Sequence, residues 1–373
     1  MDYRVAHLST FPHGGAGMAA TSIHQGLRQA GVTSRYYYLD NQSSRMLDAS
    51  YMPLQRVVSE QPASEVPWYL PWEAHTRARR QRQRAREVCR HYELHLRGND
   101  RQTEVFSQPE LVHETRVAAT EFPHDLLHLH WTAFALDWPS FFSSLPRRLP
   151  IVWTLHDQNP YTGGCHFTTG CERFRTGCGQ CPQLLAPGPH DLSRHAFALK
   201  QALLAGRELH VVAPSRWMLT EAEKSPIFRA AKSFTQIPYG LDVAALEAEA
   251  GRETFRGQRL LPTILFGAED LKNARKGVQY AIEGINQLVR LAGQAPSSET
   301  APSGRLSSGH ESSPDGVGKR LRLWTFGKAL PGELLERLDR AIEVKQWGFV
   351  SDRRLQGQLY RAADVFWLPS LED

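Results

Sequence analysis

Short apolar runs of strand length, separated by segments with helical spacing, constrain this chain more than any other feature. Residues 3–9, 125–131, 150–157 and 208–215 are such runs. Strands that are apolar along their whole length, interleaved with helices, imply a parallel sheet covered on both faces. The first cycle is the clearest. Residues 3–9 lead into the turn His13-Gly14-Gly15-Ala16-Gly17, after which Ala19, Ile23 and Leu27 recur every four residues until Gly31. Residues 35–39, with three tyrosines, read as a second strand. Residues 234–239 read as a further one, closed by the turn Gly240-Leu241-Asp242. Residues 50–120 show no clear repeat.

A second cycle starts at residues 262–268 and continues into a helix with Val278, Ile282, Ile285 and Val289 on one face. Residues 320–327, 346–350 and 364–369 read as its later strands. Residues 294–319 are rich in Ser, Pro and Gly and bury too little to offset their ordering entropy, so they read as a disordered insert. With 373 residues the chain holds two α/β domains, expected at 1–245 and 258–373. The second stops after about four strands, where a doubly wound sheet usually has five or six, and is expected to be incomplete.

No run of 18 apolar residues is present, so no membrane-spanning helix is expected. The opening MDYRVAHLST lacks the regions of a signal peptide, and a cytoplasmic protein is expected. The net charge is +5, and seven arginines lie within residues 77–90, opposed there by Glu87 alone. This arginine-rich segment, taken as 77–101, could touch anionic lipid headgroups or nucleic acid, or is a solvated arginine-rich helix or loop. Nucleic acid is the weaker partner, because no nucleic-acid motif accompanies the charge.

Ligands of open parallel sheets bind beyond the carboxyl ends of the strands, and four features fall at such ends. Gly14 and Gly15 sit in a turn that opens a helix, where backbone approaches a phosphate or sugar closely. The spacing departs from the GxGxxG dinucleotide fingerprint. His156 and Asp157 end a strand; the imidazole suits sugar hydroxyls or developing charge, and the carboxylate can orient it. Cys165, Cys171, Cys178 and Cys181 are spaced C-x5-C-x6-C-x2-C in a glycine-rich loop, residues 163–184. A four-thiolate structural zinc site fits them; free thiols or a disulfide are the alternatives. Lys272, Arg275 and Lys276 precede the helix of the second cycle, where a bound phosphate would offset cations placed at a helix N-terminus.

Taken together these segments resemble the bacterial glycosyltransferases of family four, especially the colanic-acid-type polysaccharide transferases. The most specific stretch is TLHDQNPYTGGCHFTTGCERFRTGCGQCPQL, residues 154–184. LHW at 129–131, VAPSRW at 212–217, IPYGLD at 237–242, LFGAED…RKG at 265–277 and YRAADVFWLPSLED at 360–373 follow in the family's order. The resemblance implies a GT-B fold with two facing Rossmann-like domains, the first binding the acceptor and the second the nucleotide sugar. It implies transfer of a sugar with retention to a glycan or lipid-linked acceptor, with no obligatory catalytic metal. By the same resemblance Gly14 and Gly15 lie near the donor diphosphate, His156 meets the donor sugar with Asp157 beside it, and Lys276 binds the diphosphate. Where the family has an arginine after a glycine, this chain has Ala268, and Lys272 or Arg275 is the candidate substitute. Asp373 matches the first acid of the family's E-x7-E motif, with Glu372 before it. A chain ending there is expected to be a fragment, a truncated product or half of a split transferase, with little activity alone. The competing reading is a non-catalytic binding or assembly protein. A zinc-dependent hydrolase is disfavoured, because the four-cysteine loop reads as structural.

Overall fold

The chain is described by a computed structural model over residues 3–39, 48, 50–54, 56–57, 72–97, 104–112, 114–115, 124–250, 261–294 and 319–371. It divides into two compact units, Met1–Gly240 and Leu241–Asp373. In unit 1 the chain runs β1 (Arg4–Leu8), α1 (Gly14–Gln29), β2 (Thr33–Tyr38), β3 (Tyr51–Pro53), β4 (Arg56–Val57), α2 (Trp72–His95) and β5 (Glu114–Thr115). It continues with β6 (Leu126–Leu129), α3 (Trp138–Ser144), β7 (Ile151–Thr154), α4 (Leu192–Leu204), β8 (Leu209–Ala213), α5 (Arg216–Glu223) and β9 (Ser233–Gln236).

Seven of these strands form one sheet in the order β3-β2-β1-β6-β7-β8-β9. Every pairing within it is parallel. β4 and β5 make a separate antiparallel pair. The apolar runs become the sheet because helices cover both of its faces, so Leu8, Leu127, Leu129, Trp153 and Val211 all lie buried. Burying each such side chain contributes roughly 1.5–3 kcal/mol. Side-chain caps fix where helices begin: Asp137 for α3, Asp191 for α4 and Ser215 for α5 each accept a backbone N–H of the first turn.

The strand order places the chain's reversal between β1 and β6. From β1 the chain moves outward to β2 and β3, then returns to the other side of β1 as β6. At such a switch point the loops leaving the two central strands diverge and open a crevice. The segments after β1, β6 and β7 carry the functional side chains.

In unit 2 the elements are α6 (Val243–Ala250), β10 (Thr263–Ala268), α7 (Val278–Gln294), β11 (Leu321–Gly327), α8 (Gly332–Glu336), β12 (Ile342–Gln346), α9 (Arg353–Ala362) and β13 (Val365–Phe366). The sheet order is β12-β11-β10-β13, all parallel, with its own switch point between β10 and β13. The expected stripe on α7 is the buried one: Val278, Ile282, Ile285 and Val289 pack into this unit's core. The strand expected at 346–350 lies earlier, at β12. Ile342 anchors that strand in the core, whereas Gly348 takes a left-handed φ of 70° and ends the extended run. α6 begins before residue 245, where the first domain was expected to end, and belongs to unit 2. It packs on α9 so closely that a Cβ at Gly357 would stand 2.8 Å from the Ala250 Cβ. The α/β class with two parallel-sheet units, of the GT-B kind, is borne out. The insert expected at 294–319 falls outside the described residues apart from its two ends.

Candidate functional site

The ends of β1 and β6 are tied together by backbone. Thr10 donates its N–H to the Trp131 carbonyl at 2.6 Å and its hydroxyl to the Ala133 carbonyl at 2.6 Å. His7 and His128 are register partners on β1 and β6, and His130 follows two residues on, so all three side chains share one face of the sheet. From there a row of imidazoles runs outward. His7 Nδ1 lies 3.0 Å from His130 Nε2, His130 Nδ1 lies 3.1 Å from His156 Nε2, and His156 Nδ1 lies 2.6 Å from the Tyr239 hydroxyl.

Burial keeps this row neutral. It pushes His7 and His130 well below the ordinary histidine range, and neighbouring imidazoles add to the effect. Burial likewise lowers His156 to about 4, with the Asp157 charge opposing the shift. A neutral imidazole has one N–H, so the row must point its protons one way. His7 Nε2 is buried without a hydrogen-bond partner. A bare lone pair there costs less than an orphaned N–H. His7 and His130 therefore donate outward, and His156 presents Nδ1–H toward the position that Tyr239 holds.

Beside His156, Asp157 is buried in a shell of donors. Its Oδ2 accepts from Trp131 Nε1 at 2.5 Å and His166 Nδ1 at 2.5 Å, and its Oδ1 accepts the Asn159 N–H at 2.9 Å. Burial alone would raise the carboxyl, but His166 and these hydrogen bonds outweigh it and hold it below the usual range. His166 Nε2 is 2.9 Å from the Ser107 hydroxyl, which also accepts from Asn159 Nδ2 at 3.0 Å. His130, Trp131, His156, Asp157, Asn159 and His166 line a hollow of about 10 Å³. That is room for one hydroxyl-sized group at the focus of the site.

The segment after Asp157 is held from below by Lys200 on α4. This wholly buried ammonium donates to the Asn159 carbonyl at 2.7 Å, the Asn159 Oδ1 at 3.2 Å and the Thr162 carbonyl at 3.2 Å. Desolvation lowers it to about 8. Of the glycine turn, Gly14 opens α1 with a φ of 72°, and a Cβ at Gly14 or Gly15 would meet open space. The close approach belongs to Gly17, where a Cβ would stand 2.5 Å from the Phe11 carbonyl oxygen. Cys165, Cys171, Cys178 and Cys181 are free thiols that line one cavity.

In unit 2 the loop after β10 carries Lys272, exposed, and Arg275 and Lys276, half-buried on a 3-10 turn, Ala274–Lys276. Asn273 caps that turn by accepting the Arg275 N–H at 2.9 Å. Gly277 ends it at a φ of 69°, and a Cβ there would fall 2.0 Å from the Pro369 carbonyl oxygen. The loops after β10 and β13 meet only because residue 277 is a glycine. Glu372 and Asp373 lie outside the described residues.

The arginine-rich segment is largely helical, as part of α2. Arg84 turns inward and pairs with buried Asp137, while Arg79, Arg80, Arg86 and Arg90 are exposed. The side chains of Arg77 and Arg82 lie outside the described residues. Among the described residues no helix is long and apolar enough to cross a membrane.

No model of a known protein family matches the chain. Over a 44-residue segment it is 50% identical to the putative colanic acid biosynthesis glycosyl transferase WcaC of Escherichia coli strain K12. That segment is 12% of this chain and 11% of the relative. Among solved structures, a glycosyltransferase from Rickettsia africae ESF-5 superimposes with a TM-score of 0.50 at 11% identity, covering 99% of this chain and 73% of that one. WaaG, a glycosyltransferase involved in lipopolysaccharide biosynthesis, gives a TM-score of 0.43 at 12% identity, over 98% of this chain and 75% of that one. The chain has a glycosyltransferase-like fold.

His156 and Asp157, singled out in the sequence, lie together at the focus of unit 1. The residues that set their state were not foreseen: His7, His130, His166, Lys200 and Tyr239. A signal existed in His128-x-His130 on an otherwise apolar strand beside the switch point, since two imidazoles on one buried face need partners.

Proposed function

We propose that the chain is a glycosyltransferase that moves a sugar from a nucleotide sugar to a glycan or lipid-linked acceptor in polysaccharide synthesis, with retention. The observation that carries this reading is the neutral imidazole row ending at His156, at the switch point of a glycosyltransferase-like fold. A neutral N–H donor beside an ionised carboxylate suits a sugar, whose hydroxyls both donate and accept.

On this reading unit 1 takes the acceptor and unit 2 the nucleotide. His156 donates Nδ1–H to a sugar oxygen, which displaces the Tyr239 hydroxyl. Asp157 does not react; it holds Trp131 and His166 in place through Oδ2 and fixes the chain through the Asn159 N–H. Lys276, with Arg275 or Lys272, meets the diphosphate and stabilises the charge that develops as the bond to the sugar breaks. That electrostatic role needs no metal. The exposed arginines of α2 suit the anionic inner surface where lipid-linked acceptors sit. Binding to phosphatidylglycerol vesicles that survives their replacement by serine would count against that contact.

The test is transfer by the purified chain, using radiolabelled uridine and guanosine diphosphate sugars with a polyprenyl-diphosphate-linked saccharide. Label appearing in the lipid fraction, and lost in His156→Ala, supports the reading. Binding of a nucleotide sugar without transfer, both by this chain and by one extended through the second acid of the motif, would leave a binding or assembly protein instead.

A further inference from the structure

Residues 158–191 join β7 to α4 with almost no regular structure, only the single 3-10 turns Asn159–Tyr161 and Arg173–Arg175. The path is also costly. Among the described residues four non-glycine residues stand at positive φ, and three of them lie in this loop: Thr169 at 49°, Cys178 at 58° and Gln180 at 49°. A left-handed L-residue costs roughly 1–2 kcal/mol. Yet the loop contributes His166 and Asn159 to the site, and both need fixed positions.

Four cysteines from this loop surround one cavity of about 20 Å³, together with Gly163 and Ser193. Burial pushes the Cys165, Cys178 and Cys181 thiols up, and nearby N–H groups oppose that shift at Cys178 and Cys181. The Gly163 N–H is directed at the Cys178 sulfur and the Gln183 N–H at that of Cys181, whereas the Thr162 hydroxyl donates to the Cys165 carbonyl and the Ser193 hydroxyl to Asp191. Gly163 must be glycine for this, since a Cβ there would lie 2.3 Å from the Ser193 carbonyl oxygen. The Lys200 ammonium, wholly buried, faces Cys165 and Cys178 closely enough to interact with both.

We infer that Cys165, Cys171, Cys178 and Cys181 bind one zinc ion, which holds the loop that delivers Asn159 and His166 to the site. Zinc takes four thiolates tetrahedrally at about 2.3 Å. The centre then carries two negative charges, and Lys200 supplies a buried countercharge. Two disulfides would be neutral and would leave Asp157 as the anion that the ammonium meets. In the structure the quartet is more open than the two groups whose ligand atoms already stand within 4.8 Å, His7–His128–His130 and His91–Glu110–His195. Binding thus draws the thiols inward across the cavity. Both nitrogens of His130 are already engaged with other imidazoles, which leaves His91–Glu110–His195 as the rival site. Each thiol gives up its proton on binding, so zinc uptake releases protons. The inference is independent of the glycosyl-transfer reading.

The test is metal analysis of the full chain, purified without chelator under reducing conditions. One zinc per chain is expected, and exposed Cys89 alone should react with a thiol reagent until chelator and denaturant free the rest. Cobalt in place of zinc should show the intense thiolate-to-metal charge transfer of a tetrahedral sulfur site. Zinc should be lost in Cys178→Ser/Cys181→Ser and kept in His91→Ala/His195→Ala. A metal-free chain, disulfides among the four cysteines, or the reverse pattern in the two double variants would overturn the inference. Should the cysteine variant fail to fold, the metal content and cobalt spectrum of the unaltered chain decide it.

Discussion

The two units treat their switch points differently. In unit 1 the strand ends are packed with polar side chains that satisfy one another inside the protein: three imidazoles in a row, a carboxylate with three donors, and a buried lysine of α4 that holds the loop above it. In unit 2 the corresponding loop has a fixed backbone, set by Asn273 and Gly277, but sets its cations nearer to water. The first arrangement is a site built before any ligand arrives, in which each removal leaves other groups unpaired. The second is a backbone cradle that leaves its cations half-buried or exposed. Damage in unit 1 should therefore appear in stability as well as function, and damage in unit 2 in ligand affinity alone.

The sharpest contrast is Asp157→Ala. It strands Trp131, His166 and the Asn159 N–H in the interior, and should cost about 3–5 kcal/mol in urea unfolding along with all transfer. His156→Ala strands the buried His130 Nδ1–H; it should lower transfer by roughly 100- to 1,000-fold and cost about 1–3 kcal/mol in unfolding. Lys276→Ala should weaken nucleotide-sugar binding about 10- to 100-fold in calorimetry, with unfolding unchanged. An unfolding loss there as large as that of Asp157→Ala would erase the distinction between the units.

Acid should reveal the same difference. His7, His128, His130 and His156 have folded pKa values below the unfolded value, His128 at about 3 and His156 at about 4. The unfolded chain takes up their protons first as pH falls through about 6.5. Stability is thus complete above that pH and declines toward pH 4, by roughly 1.4 kcal/mol per unit for each histidine involved. His195, raised by Glu110, works in the opposite sense from an exposed position. A urea midpoint that stays flat between pH 7 and 4.5 would contradict the neutral row. The smallest effect belongs to Tyr239→Phe. Its hydroxyl only occupies the place of a sugar oxygen, so transfer should stay within about threefold, the value of one ordinary hydrogen bond.

The sheets were legible because continuous apolar runs leave little choice but a covered parallel sheet. The stripe on α7 and the strand ends bearing His156 and Lys276 could be read the same way. α2 was hidden because arginines replace the apolar stripe that marks a helix, and its existence rests partly on Arg84 reaching Asp137. β12 was displaced because the aromatic run Trp347-Gly348-Phe349 looks more like a strand than Ile342-Glu343-Val344-Lys345-Gln346 does. The site was half legible. His156 and Asp157 stand at a strand terminus, a local feature. His7 and Lys200 act across more than forty residues of separation and match no local pattern. Tyr239 reaches His156 from the turn after β9, which only the folded sheet brings near.

The central claim is that His156 is neutral and offers Nδ1–H outward. Long-range proton–nitrogen NMR of the histidine rings at pH 6 tests it directly. The account predicts a neutral His156 with its proton on Nδ1, and a shift of that resonance when the sugar donor active in transfer is added. An imidazolium at that pH, or a proton on Nε2, would contradict it.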